Sequence, residues 1–107
     1  MMEQIHVNDL AHWLKDPLRR PPLILDVREQ WEVDTAQIKG SVHIPMGQIM
    51  QQFETLEKDQ TIACLCHHGA RSMQVGLFLE RQGFTVINVQ GGIDAWSKQI
   101  DPAISIY

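Results

Sequence analysis

The chain has 107 residues, 44% of them hydrophobic and 21% charged, and its formal net charge at pH 7 is −4. This length suits one compact domain, residues 1–107, and the acidic balance excludes a general attraction for nucleic acid or for anionic membranes. The sequence lacks an apolar run of about 18 residues and the basic, apolar start of a secretory signal, so we expect no membrane span and a cytoplasmic location.

The first element that the hydrophobic pattern predicts is a helix. Leu10, Trp13 and Leu14 recur at the spacing i, i+3, i+4 behind an Asn-Asp pair at positions 8–9, which is a candidate N-cap. The helix should end just before Pro17, because the residue that precedes a proline disfavours helical backbone.

Strand-like and helix-like segments then alternate along the chain. Buried strands are predicted at residues 23–27, 61–65 and 85–89, which are nearly continuous apolar runs, and a short strand at residues 42–44. Such alternation predicts an α/β fold with a mainly parallel sheet, helices on both faces, and ligands at the carboxyl ends of the strands.

Two helices are predicted from the segments that follow these strands, and a third apolar segment has two interpretations. A helix should follow residue 72, with Val75, Phe78 and Leu79 on one face and Gly83 as its C-terminal stop, and a short helix should surround residues 93–96. A further stripe at helical spacing can be either a docking surface or, more commonly, core packing. It consists of Met46, Ile49, Met50, Phe53 and Leu56.

The feature that points to chemistry is Cys66, at the junction between a buried strand and a helix. In such a turn the backbone N–H groups can converge on an anion, and the helix that follows adds the positive end of its dipole. A thiolate at this position should therefore be stabilised and nucleophilic at neutral pH. Gly69 permits backbone angles closed to other residues, and Arg71 supplies a planar cation that can hold an oxyanion through two hydrogen bonds.

The neighbours of Cys66 leave several interpretations open. Cys64 is more simply a buried strand thiol than a resolving partner, because a bridge between positions 64 and 66 would close a strained ring. A metal site built from the two cysteines with His67 and His68 is disfavoured by the narrow spacing, so we expect no metal. Both histidines fit pocket N–H donors or solvent-facing side chains better. Two free thiols agree with a reducing compartment.

Two charged residues follow the predicted strand at residues 23–27. Asp26 and Arg28 lie where α/β proteins gather their sites and could reach a substrate, but an ion pair that braces the loop is at least as plausible. The three tryptophans favour helix-to-sheet packing over a ligand platform. They are Trp13, Trp31 and Trp96.

These motifs together resemble a known family. The run from Cys66 to Ser72 and the downstream run at residues 90–96 (Gln-Gly-Gly-Ile-Asp-Ala-Trp) resemble the active-site loop and the C-terminal signature of rhodanese domains. Residues 25–29 and 40–45 are similar to two further segments of that family. The resemblance implies a five-stranded, mainly parallel sheet, with Cys66 as the sulfur-accepting nucleophile. It also implies a substrate cradle made of His67, His68, Gly69, Ala70 and Arg71, with Asp26, Arg28 and Ser72 in support.

The length of the loop separates the reactions that such a cysteine can perform. Rhodanese-like phosphatases and arsenate reductases place five residues between the cysteine and the arginine, whereas this chain places four between Cys66 and Arg71. The shorter loop should enclose a smaller anion pocket, suited to a sulfane sulfur rather than to a whole phosphate or arsenate.

The resemblance thus implies a sulfurtransferase without metal or organic cofactor. A donor such as thiosulfate or a persulfide would transfer sulfur to Cys66, and cyanide, a small thiol or a protein thiol, including that of a sulfur-relay protein, would accept it. Thiosulfate should be a weak donor, because His67 and His68 stand where thiosulfate-preferring members often carry a basic side chain. The alternatives are a small phosphatase or arsenate reductase that uses the same thiolate, and a non-catalytic binding module.

Overall fold

The computed structural model describes residues 2–107, and this part of the chain forms five strands and five α-helices. Two 3-10 turns, Met46–Gln48 and Phe53–Thr55, flank the third helix. In chain order the elements are β1 (Glu3–Ile5), α1 (Val7–Lys15), β2 (Leu23–Asp26), α2 (Gln30–Thr35), β3 (Val42–His43), α3 (Ile49–Gln52), β4 (Ile62–Leu65), α4 (Ala70–Arg81), β5 (Val86–Val89) and α5 (Gly92–Gln99).

The five strands form one sheet in the order β1-β5-β4-β2-β3, and every neighbouring pair is parallel. The central strand β4 pairs with β2 on one side, where Cys64 lies opposite Leu25, and with β5 on the other, where it lies opposite Asn88. Because all strands run the same way, their carboxyl ends meet at one edge, and Cys66 lies there. The predicted α/β fold with a parallel sheet is confirmed.

Helices cover both faces of the sheet, as predicted, and each face has its own core. Val75 and Leu79 of α4 pack on one face together with Cys64. Leu10 of α1 and Ile93 of α5 pack on the other face. All four residues of β4 are buried, because successive side chains enter opposite cores. In the described part of the chain, no helix has both the length and the apolar character to cross a membrane.

The predicted N-cap of the first helix is wrong. The helix begins at Val7, with His6 in extended backbone as the N-cap and no capping hydrogen bond from its side chain. Val7 is buried in the same core as Leu10. Burial of this additional apolar residue therefore extends the helix toward the N-terminus. The Asn-Asp pair at positions 8–9 consequently lies in the first turn.

The apolar stripe that begins at Met46 does not form one continuous helix. It forms a 3-10 turn, the four-residue α3 and a second 3-10 turn. Ile49 is buried in the core, while Met50 is 72% exposed. Core packing therefore explains most of this stripe, but not Met50.

The packing role predicted for the three tryptophans holds for one of them. Trp96 of α5 is buried, whereas Trp31 on α2 is 62% exposed and meets the ring of Tyr107 edge-on. Trp13 is half-buried and carries the guanidinium of Arg19 over its ring. Trp31 is therefore the tryptophan that is largely exposed to solvent, whereas Trp13 on α1 is partly covered by Arg19.

Candidate active site

Cys66 lies one residue beyond the end of β4, and the loop it opens leads to α4. The residue is buried, and its Sγ accepts a hydrogen bond from the backbone N–H of Gly69 over 3.1 Å. Gly69 has a φ of 115°, the left-handed conformation that glycine adopts most readily, which turns its N–H toward the sulfur. The loop thus folds back over the thiol and directs the N–H of Gly69 to its sulfur.

The first residues of α5 bind this loop through backbone hydrogen bonds. The N–H groups of Ile93 and Asp94 donate to the carbonyl oxygens of Cys66 and His67, over 2.9 and 3.1 Å. Gly92 makes this approach feasible, because a Cβ there would overlap both carbonyls, and its φ is 62°. Contact with the cysteine loop therefore explains Gly92, the first residue of α5, whereas a Cβ on the N-cap Gly91 would overlap the Cβ of Ala95.

Arg71, expected to hold a substrate oxyanion, has a partner within the protein. Its two Nη atoms form a bidentate ion pair with the carboxylate of Glu32, at 2.6 and 2.9 Å. The pair raises the pKa of Arg71, and the same hydrogen bonds lower the pKa of Glu32 to about 2. The guanidinium thereby ties the first turn of α4 to α2, and much of its charge is neutralised on the side that faces Glu32.

Glu32 is a site residue that the sequence analysis missed. It is buried, and its carboxylate also accepts hydrogen bonds from the N–H of Glu29 and from the hydroxyl of Tyr107, over 3.0 and 2.8 Å. Its partners Arg71 and Tyr107 lie 39 and 75 residues away along the chain. A glutamate in a short helix resembles any solvated side chain, so no local signal in the sequence identifies it.

Asp26 and Arg28 form a buried ion pair, whose further hydrogen bonds run to α2 and to Tyr107. The guanidinium of Arg28 is fully buried and donates to the Asp26 carboxylate over 2.9 and 2.7 Å. It donates further to the carbonyls of Glu32 and Ala36 and to the hydroxyl of Tyr107. Every polar atom of this ion pair is thus turned inward, where it fixes α2 against the end of β2.

Tyr107, which the sequence analysis did not single out, forms one side of the loop. Its ring stacks on His67 at 4.2 Å, and His67 stacks in turn on His68 at 4.0 Å. Burial, followed by the neighbouring His68, lowers the pKa of His67, so this imidazole is neutral at neutral pH. Within the described residues, its Nε2 is buried without a hydrogen-bond partner.

Among the described residues, the two histidines group with Asp94 and not with the cysteines. Among residues 2–107, the one group of three candidate metal ligands comprises His67, His68 and Asp94, whose ligand atoms lie within 4.8 Å of one another. The two imidazole planes differ by only 21°, so their in-plane lone pairs run side by side instead of converging on one ion. This arrangement suits a stacked wall beside the loop.

Cys64 is the buried strand thiol that the sequence analysis favoured. It is inaccessible to solvent, and burial raises the pKa of its thiol to about 12. A thiol with so little thiolate at neutral pH is a poor nucleophile. Both cysteines are free.

Comparison with known proteins agrees with this geometry. The family model described as "Rhodanese-like domain" matches residues 10–99. The Bacillus subtilis protein named "Putative sulfurtransferase YtwF" is 44% identical over 79 residues, which cover 74% of this chain and 77% of that protein. The Allochromatium vinosum protein named "Sulfurtransferase" is 30% identical over 106 residues, covering 98% of this chain and 97% of its own.

A solved structure shows the same architecture. The crystal structure of SSP1007 from Staphylococcus saprophyticus superimposes with a TM-score of 0.84 at 32% identity, covering 98% of this chain and all of the other. A parallel α/β sheet with a cysteine loop after its central strand thus defines the class of protein. The chain belongs to the rhodanese-like domain family, and its named relatives support a sulfurtransferase at the level of that family.

Proposed function

We propose that this protein is a sulfurtransferase in which Cys66 accepts a sulfane sulfur and carries it as a persulfide. The observation that carries the proposal is the position of the Cys66 sulfur, which lies under a loop whose Gly69 N–H donates to it over 3.1 Å. Free cysteines at both positions fit a reducing compartment such as the cytoplasm.

The reaction is a double displacement. The Cys66 thiolate attacks the outer sulfur of a donor, a new S–S bond forms, and the S–S bond of the donor breaks with its electron pair leaving on sulfite or on a thiolate. A nucleophilic acceptor then attacks the outer sulfur of the Cys66 persulfide and releases the thiolate. The two displacements require no external oxidant or reductant, because each S–S bond that breaks is replaced by another bond to the transferred sulfur. No cofactor takes part.

The charges around the loop favour a persulfide donor over thiosulfate. His67 is neutral at neutral pH, and the charge of Arg71 is largely compensated by the buried carboxylate of Glu32. A pocket with so little net positive charge attracts a dianion weakly, whereas a persulfide brings a single charge. The acceptor would be cyanide, a small thiol or the thiol of a sulfur-relay protein.

The intact mass of the reduced protein tests the proposal. After incubation with a low-molecular-weight persulfide, the wild type should gain one sulfur atom and Cys66→Ser should gain none. Cys64→Ser is the matched control and should load like the wild type, because the Cys64 thiol is buried and hardly ionised. Cyanide should remove the added sulfur, and thiosulfate should load the protein more slowly than the persulfide.

Two results would overturn the proposal. If neither donor adds sulfur to the folded wild type, the binding-module alternative takes its place. Hydrolysis of an aryl phosphate that disappears in Cys66→Ser would instead favour the phosphatase alternative.

A further inference from the structure

A buried polar network lies directly behind the Cys66 sulfur. The hydroxyl of Ser72, on the first turn of α4, lies 3.3 Å from Cys66 Sγ and 2.6 Å from Oδ1 of Asn88. Asn88 is only 1% exposed and occupies β5, where its neighbours Ile87 and Val89 are apolar core residues. A fully buried amide in a parallel strand is costly unless its polar atoms are hydrogen-bonded.

The contacts of Asn88 fix which way its amide points. Its Nδ2 lies 3.2 Å from the carbonyl oxygen of Gly69 and 3.2 Å from Oε1 of Gln4. The Gly69 carbonyl can only accept, so the NH₂ group must face it and Oδ1 must face Ser72. Because Oδ1 is also an acceptor only, the short contact of 2.6 Å requires that Ser72 donate its proton to Asn88.

Ser72 has one proton to give and three acceptors that compete for it. Oδ1 of Asn88 lies at 2.6 Å, the carbonyl oxygen of Gly69 at 3.2 Å and Cys66 Sγ at 3.3 Å, so the Asn88 contact is by far the shortest. While that proton lies on Asn88, the oxygen of Ser72 can accept from the Cys66 S–H but cannot donate to a thiolate. When Cys66 ionises, the hydroxyl must turn toward Sγ, and Oδ1 of Asn88 is then left against another oxygen with no proton between them. Formation of the thiolate therefore breaks one buried hydrogen bond for each one that it makes at Ser72.

We propose that Asn88 is a positioning residue that sets the balance between the Cys66 thiol and thiolate by holding the hydroxyl proton of Ser72. The inference rests on the proposed function, since it concerns the thiol that would carry the sulfur. In the persulfide the negative charge lies on the outer sulfur, so the Ser72 proton can return to Asn88. Through Ser72, the network thus favours the thiol and the persulfide relative to the free thiolate.

The pH dependence of alkylation tests this role. Reaction of the full chain with iodoacetamide, followed at the Cys66 peptide by mass spectrometry, gives a midpoint pH for each variant. Asn88→Leu, which has the same shape but no acceptor, should move the midpoint down by about 0.5 to 1 pH unit, because it removes the shortest contact that competes with the thiolate for the Ser72 proton. The Gly69 carbonyl, at 3.2 Å, remains as a weaker competitor that also accepts from the Met73 N–H. Asn88→Asp retains an acceptor and should leave the midpoint at or above that of the wild type.

A double-mutant cycle separates this role from a loosened loop. In the Ser72→Ala background, Asn88→Leu should leave the midpoint unchanged, because the hydroxyl that transmits the effect is absent. A downward shift of equal size in both backgrounds, or no shift in the wild-type background, would overturn the inference. If far-UV circular dichroism shows that Asn88→Leu is unfolded, Asn88→Ala replaces it with the same expectation.

The readout also distinguishes the inference from the proposed function. Alkylation requires no sulfur transfer, so a shifted midpoint in a protein that accepts no sulfur supports the network and refutes only the sulfurtransferase. A protein that accepts sulfur but shows no shift refutes only the role of Asn88.

Discussion

The carboxylate of Glu32 joins three parts of the chain at the side of the cysteine loop. It accepts hydrogen bonds from the N–H of Glu29, from both Nη atoms of Arg71 and from the hydroxyl of Tyr107. Four donors on one buried carboxylate stabilise its ionised form, which explains its lowered pKa. The residue thus positions the arginine of the loop without belonging to the loop.

Tyr107 can be tested at the scale of single atoms. Tyr107→Phe removes the hydroxyl that links Arg28 to Glu32 but preserves the ring that stacks on His67. The loss of two part-buried hydrogen bonds to charged groups should lower the free energy of unfolding by about 1 to 3 kcal/mol in a urea titration. Ile106→Val, at a 61% exposed neighbour, is the control and should stay within about 0.5 kcal/mol of the wild type. Equal stability of Tyr107→Phe and this control would contradict the role of the hydroxyl.

At the scale of elements, the cysteine loop is held between two helices. Helix α4 continues from it, and the N-terminal N–H groups of α5 donate to its carbonyls. The loop therefore keeps its shape only while α5 can approach within hydrogen-bond distance. A side chain at the start of α5 would prevent that approach.

Gly92→Ala tests this contact. The added Cβ would overlap the carbonyls of Cys66 and His67, and the φ of 62° disfavours alanine. We expect a loss of more than about 3 kcal/mol in the free energy of unfolding, or no folded protein, as judged by circular dichroism and urea titration. Gly47→Ala, where an added Cβ has nothing within 4 Å, should remain folded and near wild-type stability. A stable Gly92→Ala with normal loading of Cys66 would refute the contact.

At the scale of the whole molecule, Glu32 links stability to pH. Its pKa is lowered in the folded protein from 4.5 to about 2, so folding stabilises the ionised form. This contribution is fully present above pH 4.5 and is lost as the pH falls toward 2, because protonation breaks the pair with Arg71.

Glu32→Gln should therefore change how the free energy of unfolding depends on pH. The wild type should lose about 2 to 3 kcal/mol of unfolding free energy between pH 5 and pH 2 through this group, and Glu32→Gln should lack that part of the decline. Urea titrations at several pH values measure the difference, with the exposed Glu54→Gln as the control that should follow the wild type. Parallel profiles for Glu32→Gln and the wild type would contradict the assignment.

Much of the fold could be predicted from the sequence, because buried parallel strands need apolar side chains on both faces. The runs before Cys66 and before Gly91 show this composition, and both became the central strands of the sheet. The predictions failed where packing overrode local preference, as at Val7, which extends α1 beyond its expected N-cap. They also failed at Met46–Thr55, where the spacing is helical but the chain breaks into short turns.

The sequence by itself determined the position of Cys66, since the order of strand, cysteine, glycine and helix is local and its chemistry follows from residue types. Only the tertiary structure decided what surrounds that cysteine. The ion pair of Arg71 with Glu32, the stacking of Tyr107 on His67 and the hydrogen bond of Ser72 to Asn88 join residues 16 to 40 positions apart. Contacts of that separation depend on how the strands and helices pack against one another, and no spacing along the chain encodes them directly.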